Sequence, residues 1–361
     1  MQNLFSTHQL GGITLNNRIV MAPMTRSRAV NNIPNELMAD YYAQRATAGL
    51  IITEGTSPSH NGLGYARIPG IFSEEQVEAW KQVTDAVHHK GGRIFLQIMH
   101  TGRVSHPDNF PAGGKVIAPS AVPLKTTKMW VDGRGLLDIP VATPLTTAEV
   151  KEVIAEHVRA AERAIAAGFD GVELHGANGY LIKQFLNPHT NRRDDIYGGS
   201  VENRSRFLLE IAEGVVEAIG KEKVGVRISP FSQVNETPAY PEAQSTYLYI
   251  GRKLNDLGIT YLHVTDNAVK GQPDALTQHL RQIFTNTLIL SGGYSANSAE
   301  EVLESDLADL VSFARPFIPN PDLVSRFKNK LPLNQPKFEL FYTPGREGYV
   351  DYPVFEDVQV V

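Results

Sequence analysis

The chain has no cysteine among its 361 residues. That absence excludes disulfide bonds, thiolate metal sites, cysteine nucleophiles and cysteine-ligated iron–sulfur clusters. Long hydrophobic runs are also missing, since no stretch approaches the ~20 apolar residues of a membrane-spanning helix. Residues 1–12 lack the basic segment and the apolar core of a secretory signal. We therefore expect a cytoplasmic protein that does not associate with membranes.

Concentrated positive charge is scarce as well. The formal net charge is −5, and the pair Arg192-Arg193 is followed at once by Asp194-Asp195. A nucleic-acid-binding protein usually carries a basic face, so no nucleic-acid partner is expected. His100 and His106 have no carboxylate partner at metal-ligand spacing, and no metal site is predicted.

Short apolar runs rich in β-branched residues alternate with amphipathic helical stretches. This alternation favours parallel strands with the helices outside, and eight repeats predict a closed (β/α)8 TIM barrel in the α/β class. Predicted strands span residues 18–23, 50–54, 93–98, 171–174, 224–228, 261–265, 288–291 and 310–313. Predicted helices span residues 36–48, 74–89, 147–167, 201–219, 242–257, 274–284, 299–303 and 322–328. Capping residues are predicted at Thr146, Ser298 and Asn320.

Three segments exceed a minimal barrel. Residues 4–17 are predicted to form an N-terminal hairpin under the barrel, with its turn near Gly11-Gly12. Residues 101–144 form a long excursion after the third strand, expected to fold over the face where the strands end. Residues 331–361 form a tail. No segment resembles an interdomain linker, so residues 1–361 are predicted to be one domain. The protein is expected to be a monomer or a weak homo-oligomer. Loops 101–144 and 267–273 are expected to shape its pocket.

The segment ELHGANGY, residues 173–180, follows the fourth predicted strand. Active sites of this fold lie at the C-terminal ends of the strands. His175 and Asn178 can donate hydrogen bonds to a substrate oxygen, and Tyr180 is a weak acid that can deliver a proton. If the three side chains converge, the site polarises a carbonyl group and protonates the carbon beside it. The alternative is that they are structural caps.

The ends of the last two strands predict a phosphate site. Gly292-Gly293 follows the seventh strand and Ala314-Arg315 the eighth, which is where TIM barrels usually bind phosphate. Glycine lets backbone N–H groups approach an anion, and arginine adds a fixed charge. Gln97 and Arg227, on the same rim, could hold a polar heterocycle, so the pattern suits flavin mononucleotide (FMN). Each residue also has a structural alternative. Gly292-Gly293 could be a simple turn and Arg315 a surface ion pair. Gln97 could be a core amide bonded to backbone, and Arg227 an ion pair at the barrel rim.

Segments spread over nearly the whole chain resemble the old yellow enzyme family of FMN-dependent ene-reductases. The run NPHTNRRDDIYGGSVENR, residues 187–204, is highly specific for that family. That run lies within the matching region 170–206, and seven further regions match in family order: residues 19–26, 53–56, 96–103, 226–230, 290–294, 313–323 and 347–353.

The resemblance implies a role for each matched position. His175 and Asn178 would bind the substrate carbonyl or nitro oxygen, Tyr180 would protonate the α-carbon, and Thr25 would contact the flavin and tune its potential. The flavin ring would be held by Pro23, Met24, Gly55, Gln97 and Arg227. The phosphate would be held by Gly292, Gly293, Ala314 and Arg315. The substrate pocket would be lined by Tyr65, Met99 and Tyr342.

Three positions depart from some relatives. Met99 stands where some carry tryptophan, which predicts a wider and softer pocket. Asn178 replaces a histidine, and Ala314 stands where glycine is frequent. None of these changes removes a catalytic group.

The resemblance implies a ping-pong reaction. NADPH or NADH would reduce FMN, and an α,β-unsaturated aldehyde, ketone, imide or nitroalkene would then be reduced in the same pocket. Two alternatives stay open: a non-redox aldolase or isomerase that binds a sugar phosphate, and a non-catalytic flavin-binding protein. A buried lysine at a strand end would favour an aldolase, and none is apparent at the eight predicted strand ends.

Overall fold

The chain folds into a closed barrel of eight parallel strands, seen in a computed structural model that describes residues 1–265 and 273–355. The strands are β1 Ile19–Met21, β2 Leu50–Ile52, β3 Ile94–Ile98, β4 Gly171–Gly176, β5 Val224–Ile228, β6 Tyr261–Thr265, β7 Thr287–Ser291 and β8 Leu310–Phe313. Each strand pairs with the next, and β8 closes the ring against β1. The predicted TIM barrel is confirmed, whereas the single-domain interpretation of residues 1–361 stays a prediction.

Helices follow the strands and cover the outside of the barrel. They are α1 Glu36–Ala43, α2 Glu74–His89, α3 Thr147–Ala166, α4 Leu181–Leu186, α5 Val201–Ile219, α6 Ala243–Leu257, α7 Ala275–Ile283, α8 Ala296–Glu304 and α9 Leu323–Asn329. Within residues 1–265 and 273–355, none of them combines the length and the apolar character needed to cross a bilayer.

Several helix boundaries differ from the predictions. Thr146 caps α3 in a capping box as predicted. The capping residue predicted at Ser298 was wrong, because Ser295 caps α8 and Ser298 is the third residue of that helix. Asn320 does not cap α9; its side-chain amide donates instead to the carbonyl of Pro316. The short helix α4 was not predicted, since all six of its residues are buried and show no amphipathic period.

The barrel interior has an apolar lower layer. The N-terminal hairpin, His8–Leu10 paired with Ile13–Leu15, closes the bottom of the barrel as predicted. Leu10 and Leu15 pack there against inward side chains, among them Phe95 and Tyr261. Gly225 makes room for this packing, because a Cβ at that position would lie 2.1 Å from the ring of Tyr261. The interior is therefore filled from below, and a ligand can enter at the opposite end.

The long excursion lies over that open end. It contains a hairpin, Lys128–Val131 paired with Gly135–Asp138. The backbone N–H groups of residues 125–127 donate to Glu236, in the loop after β5. The location predicted for residues 101–144 is therefore correct. The predicted pocket loop 267–273 lies outside the described residues except for Pro273.

Candidate functional site

A layer of polar side chains fills the upper half of the barrel. Strand register places Gln97 of β3 beside Glu173 of β4, and His175 of β4 beside Arg227 of β5. All four side chains are buried. Polar groups buried in a barrel persist only when they are hydrogen-bonded or paired, and this layer meets that condition through a connected network.

Glu173 is the centre of that network. Its carboxylate accepts hydrogen bonds from Gln97 Nε2 and from His263 Nδ1, each at 2.7 Å. Burial opposes ionisation, but attraction to His263 and Arg227 and the two hydrogen bonds hold the pKa of Glu173 below its usual value. Burial lowers the pKa of His263, and Glu173 offsets part of that fall. The other ring nitrogen, Nε2, lies 2.9 Å from the Ser312 hydroxyl. Gln97 is thus anchored by a carboxylate and not by backbone.

Arg227 supplies a buried positive charge beside that carboxylate. Its Nε donates to Thr265 Oγ1 at 2.9 Å, which uses one of the five guanidinium N–H groups. Burial lowers the pKa of Arg227 while Glu173 raises it, and arginine stays charged at any pH of interest. The residue therefore brings a fixed cation to the place where a heterocycle was predicted.

His175 is held as a neutral hydrogen-bond donor. The backbone N–H of Ala177 donates to its Nδ1 at 3.3 Å, so the proton of the neutral ring lies on Nε2. Burial, followed by the charges of Arg227, His263 and Lys183, puts the pKa of His175 well below its ordinary value. The predicted oxygen-binding role requires this Nε2–H donor.

Tyr180 and Tyr65 meet through their hydroxyl groups, which lie 2.9 Å apart. The Tyr180 ring is also 5.0 Å from that of His175, in an edge-to-face arrangement. Burial raises the pKa of Tyr180, and the hydrogen bond from Tyr65 offsets part of that rise. The phenol therefore stays protonated at neutral pH, as a proton donor must.

Asn178 sits in a constrained backbone conformation. Its φ is +55°, in the left-handed region that is costly for most residues. Ser229 Oγ accepts from its backbone N–H at 2.8 Å, and Asn235 Nδ2 donates to its carbonyl at 2.8 Å. The loop after β5 thus holds both sides of the Asn178 peptide.

Met99 lines an apolar patch next to the two phenols. It packs with Leu63 and Ile68, and Tyr65 and Tyr180 lie against this cluster. Gly55 leaves room for it, since a Cβ there would lie 2.4 Å from the Met99 sulfur. A flexible methionine in this position fits the predicted wider pocket.

Pro23, Met24 and Thr25 are half-buried at the end of β1. The next residue, Arg26, donates its backbone N–H to Glu54 Oε2 at 3.2 Å, while Glu54 Oε1 is buried without a hydrogen-bond partner. Burial, opposed by the Arg26 hydrogen bond, raises the pKa of Glu54 to about 7. Glu54 was not predicted as part of the site, and it fixes the segment that carries Thr25.

The predicted phosphate-binding residues lie side by side. Ser291 at the end of β7 is in register with Ser312 on β8, so Gly292-Gly293 and Ala314-Arg315 emerge from adjacent strands. Both glycines have positive φ, +155° and +80°. Arg315 begins a short 3-10 helix, Arg315–Phe317, and its side chain is exposed. These features suit an anion held by backbone N–H groups and one arginine.

Tyr342 stands apart from the buried phenols, because 61% of its surface is exposed. Tyr342 also contributes to the raised pKa of Tyr180, for which burial is the largest cause. Arg26 and Arg28 hold this part of the tail by donating to the backbone carbonyl of Phe341 at 3.1 Å and 2.7 Å. Tyr342 is thus largely exposed, and its role in lining the substrate pocket stays a prediction.

Another polar cluster lies away from the barrel mouth. Asp195 accepts from Arg193 and from Thr147, and these contacts fix the loop that carries it. Among residues 1–265 and 273–355, no three side chains of metal-binding type come together. Sequence reasoning missed Lys183, which is buried and bonded to the loop after β5, close to a strand end. No sequence pattern marks Lys183, because all six residues of α4 are buried.

Taken together, the fold and its mouth define a TIM-barrel oxidoreductase site. A family described as NADH:flavin oxidoreductase / NADH oxidase matches residues 3–334, and the chain belongs to that family. It is 42% identical to 12-oxophytodienoate reductase 7 of Oryza sativa subsp. japonica, over 97% of this chain and 94% of that protein. It is 41% identical to a probable flavin mononucleotide-dependent alkene reductase of Leishmania infantum, over 95% of both chains.

A solved structure leads to the same class. The old yellow enzyme homologue of Zymomonas mobilis superposes with a TM-score of 0.94 at 42% identity, covering 98% of this chain and 100% of that one. The protein is therefore an NAD(P)H-dependent flavin enzyme of the old yellow enzyme type, and its cofactor is FMN. Family membership leaves no support for the aldolase or isomerase alternative.

The residues present fit FMN. The donor set combines a charged guanidinium, an anchored amide and a glycine pair with positive φ, which match an electron-rich heterocycle and a phosphate. We expect Gln97 and Arg227 to hold the ring, and Arg315 with the glycines to hold the phosphate. These individual assignments stay predictions.

Proposed function

We propose that the protein reduces the activated C=C bond of α,β-unsaturated aldehydes, ketones, imides or nitroalkenes in a ping-pong cycle driven by NADPH or NADH. One observation carries this proposal. A protonated phenol, Tyr180, lies beside a neutral imidazole, His175, whose Nε2 bears the proton. The pair combines a proton source with an oxygen-binding donor at the mouth of a flavin-family barrel.

The chain's residues divide the reaction between them. Bound FMN, held by Gln97, Arg227 and Arg315, would supply the redox chemistry that links the nicotinamide to the alkene. His175 and Asn178 bind the carbonyl or nitro oxygen and stabilise the negative charge that grows there; one preorganised donor of this kind contributes about 3 kcal/mol. Tyr180 gives its proton to the α-carbon, and Tyr65 holds the phenol in place.

The experiment has two stages. The absorption spectrum of the purified protein, and of protein incubated with added FMN, establishes flavin binding. NADPH consumption with and without a cyclic enone, with product analysis, then establishes alkene reduction. We expect flavin absorption and enone-dependent turnover. A protein that binds FMN and oxidises NADPH, yet leaves enones, imides and nitroalkenes unchanged, would overturn the proposal.

A further inference from the structure

Lys183 is a buried cationic side chain that the proposed reaction does not use. It belongs to α4 and only 1% of its surface is exposed. Its Nζ contacts the Ser229 carbonyl, Ser229 Oγ at 3.1 Å and the Ser232 carbonyl at 2.6 Å. All three are neutral oxygens in the loop after β5. The lysine therefore joins α4 to that loop, and within residues 1–265 and 273–355 it pairs with no carboxylate.

Ser229 carries this link to the site. Its Oγ contacts Lys183 Nζ and also accepts the backbone N–H of Asn178 at 2.8 Å. Asn178 is the residue with a φ of +55°, a conformation that persists only where its surroundings fix it. The connection from Nζ through Ser229 Oγ to Asn178 thus spans two hydrogen bonds.

The charge of Lys183 also reaches the second oxygen-binding residue. It contributes to the lowered pKa of His175, after burial, Arg227 and His263. Burial lowers the pKa of Lys183 itself to about 7. A buried amine is costly to fold, and among residues 1–265 and 273–355 no carboxylate offsets that cost. Lys183 is linked to Asn178 through Ser229 and affects the pKa of His175, so it connects to both oxygen-binding residues.

We propose that Lys183 is a positioning residue for the substrate-oxygen site: through Ser229 it fixes the Asn178 backbone, and its charge favours anionic oxygen beside His175. The inference deepens the proposed function and rests on it for the identity of the ligand. The ligand class follows from the charge, and consists of enolate-like or phenolate oxygens in preference to neutral ones.

The first test measures the Asn178 backbone and needs no flavin. Amide hydrogen exchange at Asn178 is compared in the wild type, Lys183→Met, Ser229→Ala and the double variant. The control is Lys151→Met, which removes an exposed lysine from α3. We expect exchange to accelerate about tenfold or more in Lys183→Met and in Ser229→Ala. Unchanged exchange in both variants overturns the positioning role.

The second test measures anion binding to the FMN-loaded protein. Calorimetry at a pH below 7, where Lys183 keeps its charge, gives the Kd of 2,4-dinitrophenol, a nitrophenol that is ionised there, together with the KM for an enone. We expect Lys183→Met to weaken nitrophenolate binding about tenfold, Ser229→Ala to weaken it less, and the double variant to match Lys183→Met because both act on one path. Lys151→Met should bind like the wild type.

The outcomes separate the two proposals. Independent, additive effects of the two substitutions overturn the inference, as does wild-type nitrophenolate affinity in Lys183→Met. If Lys183→Met does not fold, the exchange test is decided by Ser229→Ala and by the polar variant Lys183→Gln. A wild-type protein that lacks enone reduction sinks the proposed function, while hydrogen exchange at Asn178 still decides whether Lys183 positions that residue.

Discussion

Replacing Tyr180 by phenylalanine removes one oxygen and leaves the packing intact. The ring keeps its contacts with Met99 and His175, and the lost hydrogen bond is the 2.9 Å contact with Tyr65. That loss costs about 1 kcal/mol of folding free energy. The loss to the reaction is larger. A positioned general acid contributes about 10²–10⁴ in rate, which corresponds to about 3–5 kcal/mol of activation free energy.

Stopped-flow measurements of the two half-reactions separate these effects. NADPH is mixed with the oxidised holoenzyme in one experiment, and an enone with the photoreduced holoenzyme in the other. Tyr180→Phe should reduce the flavin within about twofold of the wild-type rate, because no proton is delivered to carbon in that step. Reoxidation by the enone should slow by about 10² or more.

Tyr65→Phe is the matched control, since it removes the other oxygen of the same pair. It should slow reoxidation less than Tyr180→Phe does, because the Tyr180 phenol is still present. Equal slowing of both half-reactions in Tyr180→Phe would show that the residue acts in binding or packing. An unchanged reoxidation rate would mean that the proton comes from another group.

Three further substitutions test other parts of the site. His175→Ala should weaken phenol and enone binding about tenfold or more, because it removes the Nε2–H donor; unchanged affinity in a titration removes it from the oxygen-binding role. Arg315→Ala should weaken FMN binding by a similar factor, measured by flavin release on dilution, and full retention would assign Arg315 to the surface. Burial raises the pKa of Glu54 from 4.5 to about 7. An acid with a raised pKa in the folded state makes the free energy of unfolding fall as pH rises from about 4.5 to about 7, here by about 3 kcal/mol in total. Glu54→Gln should flatten that slope in urea titrations, and an identical slope in both proteins contradicts the assignment.

The barrel and the ring of strand ends could be predicted because their signals are local. Each buried strand is a short, largely apolar run, and polar residues or glycines lie at or soon after each strand end. Gln97, His175, Arg227 and Gly292 were therefore placed at the mouth from sequence position alone. Closure of the barrel then brings them together, since parallel strands present their carboxyl ends on one face.

The residues that were missed depend on contacts between distant segments. Glu173 meets His263 across 90 positions of the chain, and the sequence shows only a charged residue inside a buried strand. Lys183 lies in a helix without a polar face. The position of the tail that carries Tyr342 could not be predicted either, because Arg26 and Arg28 fix it through backbone carbonyls, and a carbonyl acceptor leaves no mark in the sequence.

The protonation states at the mouth decide which residue can be the acid. Burial keeps His175 neutral, with its remaining proton on Nε2. A neutral imidazole donates a hydrogen bond well but gives up its last proton far less readily than a phenol does. Arg227 is permanently charged and is bonded to Thr265. Tyr180 is left as the group that is both protonated at neutral pH and acidic enough to release the proton. In the proposed reaction, the burial that suits His175 to oxygen binding therefore leaves proton delivery to its neighbour Tyr180, and this division explains why the reaction uses two different side chains.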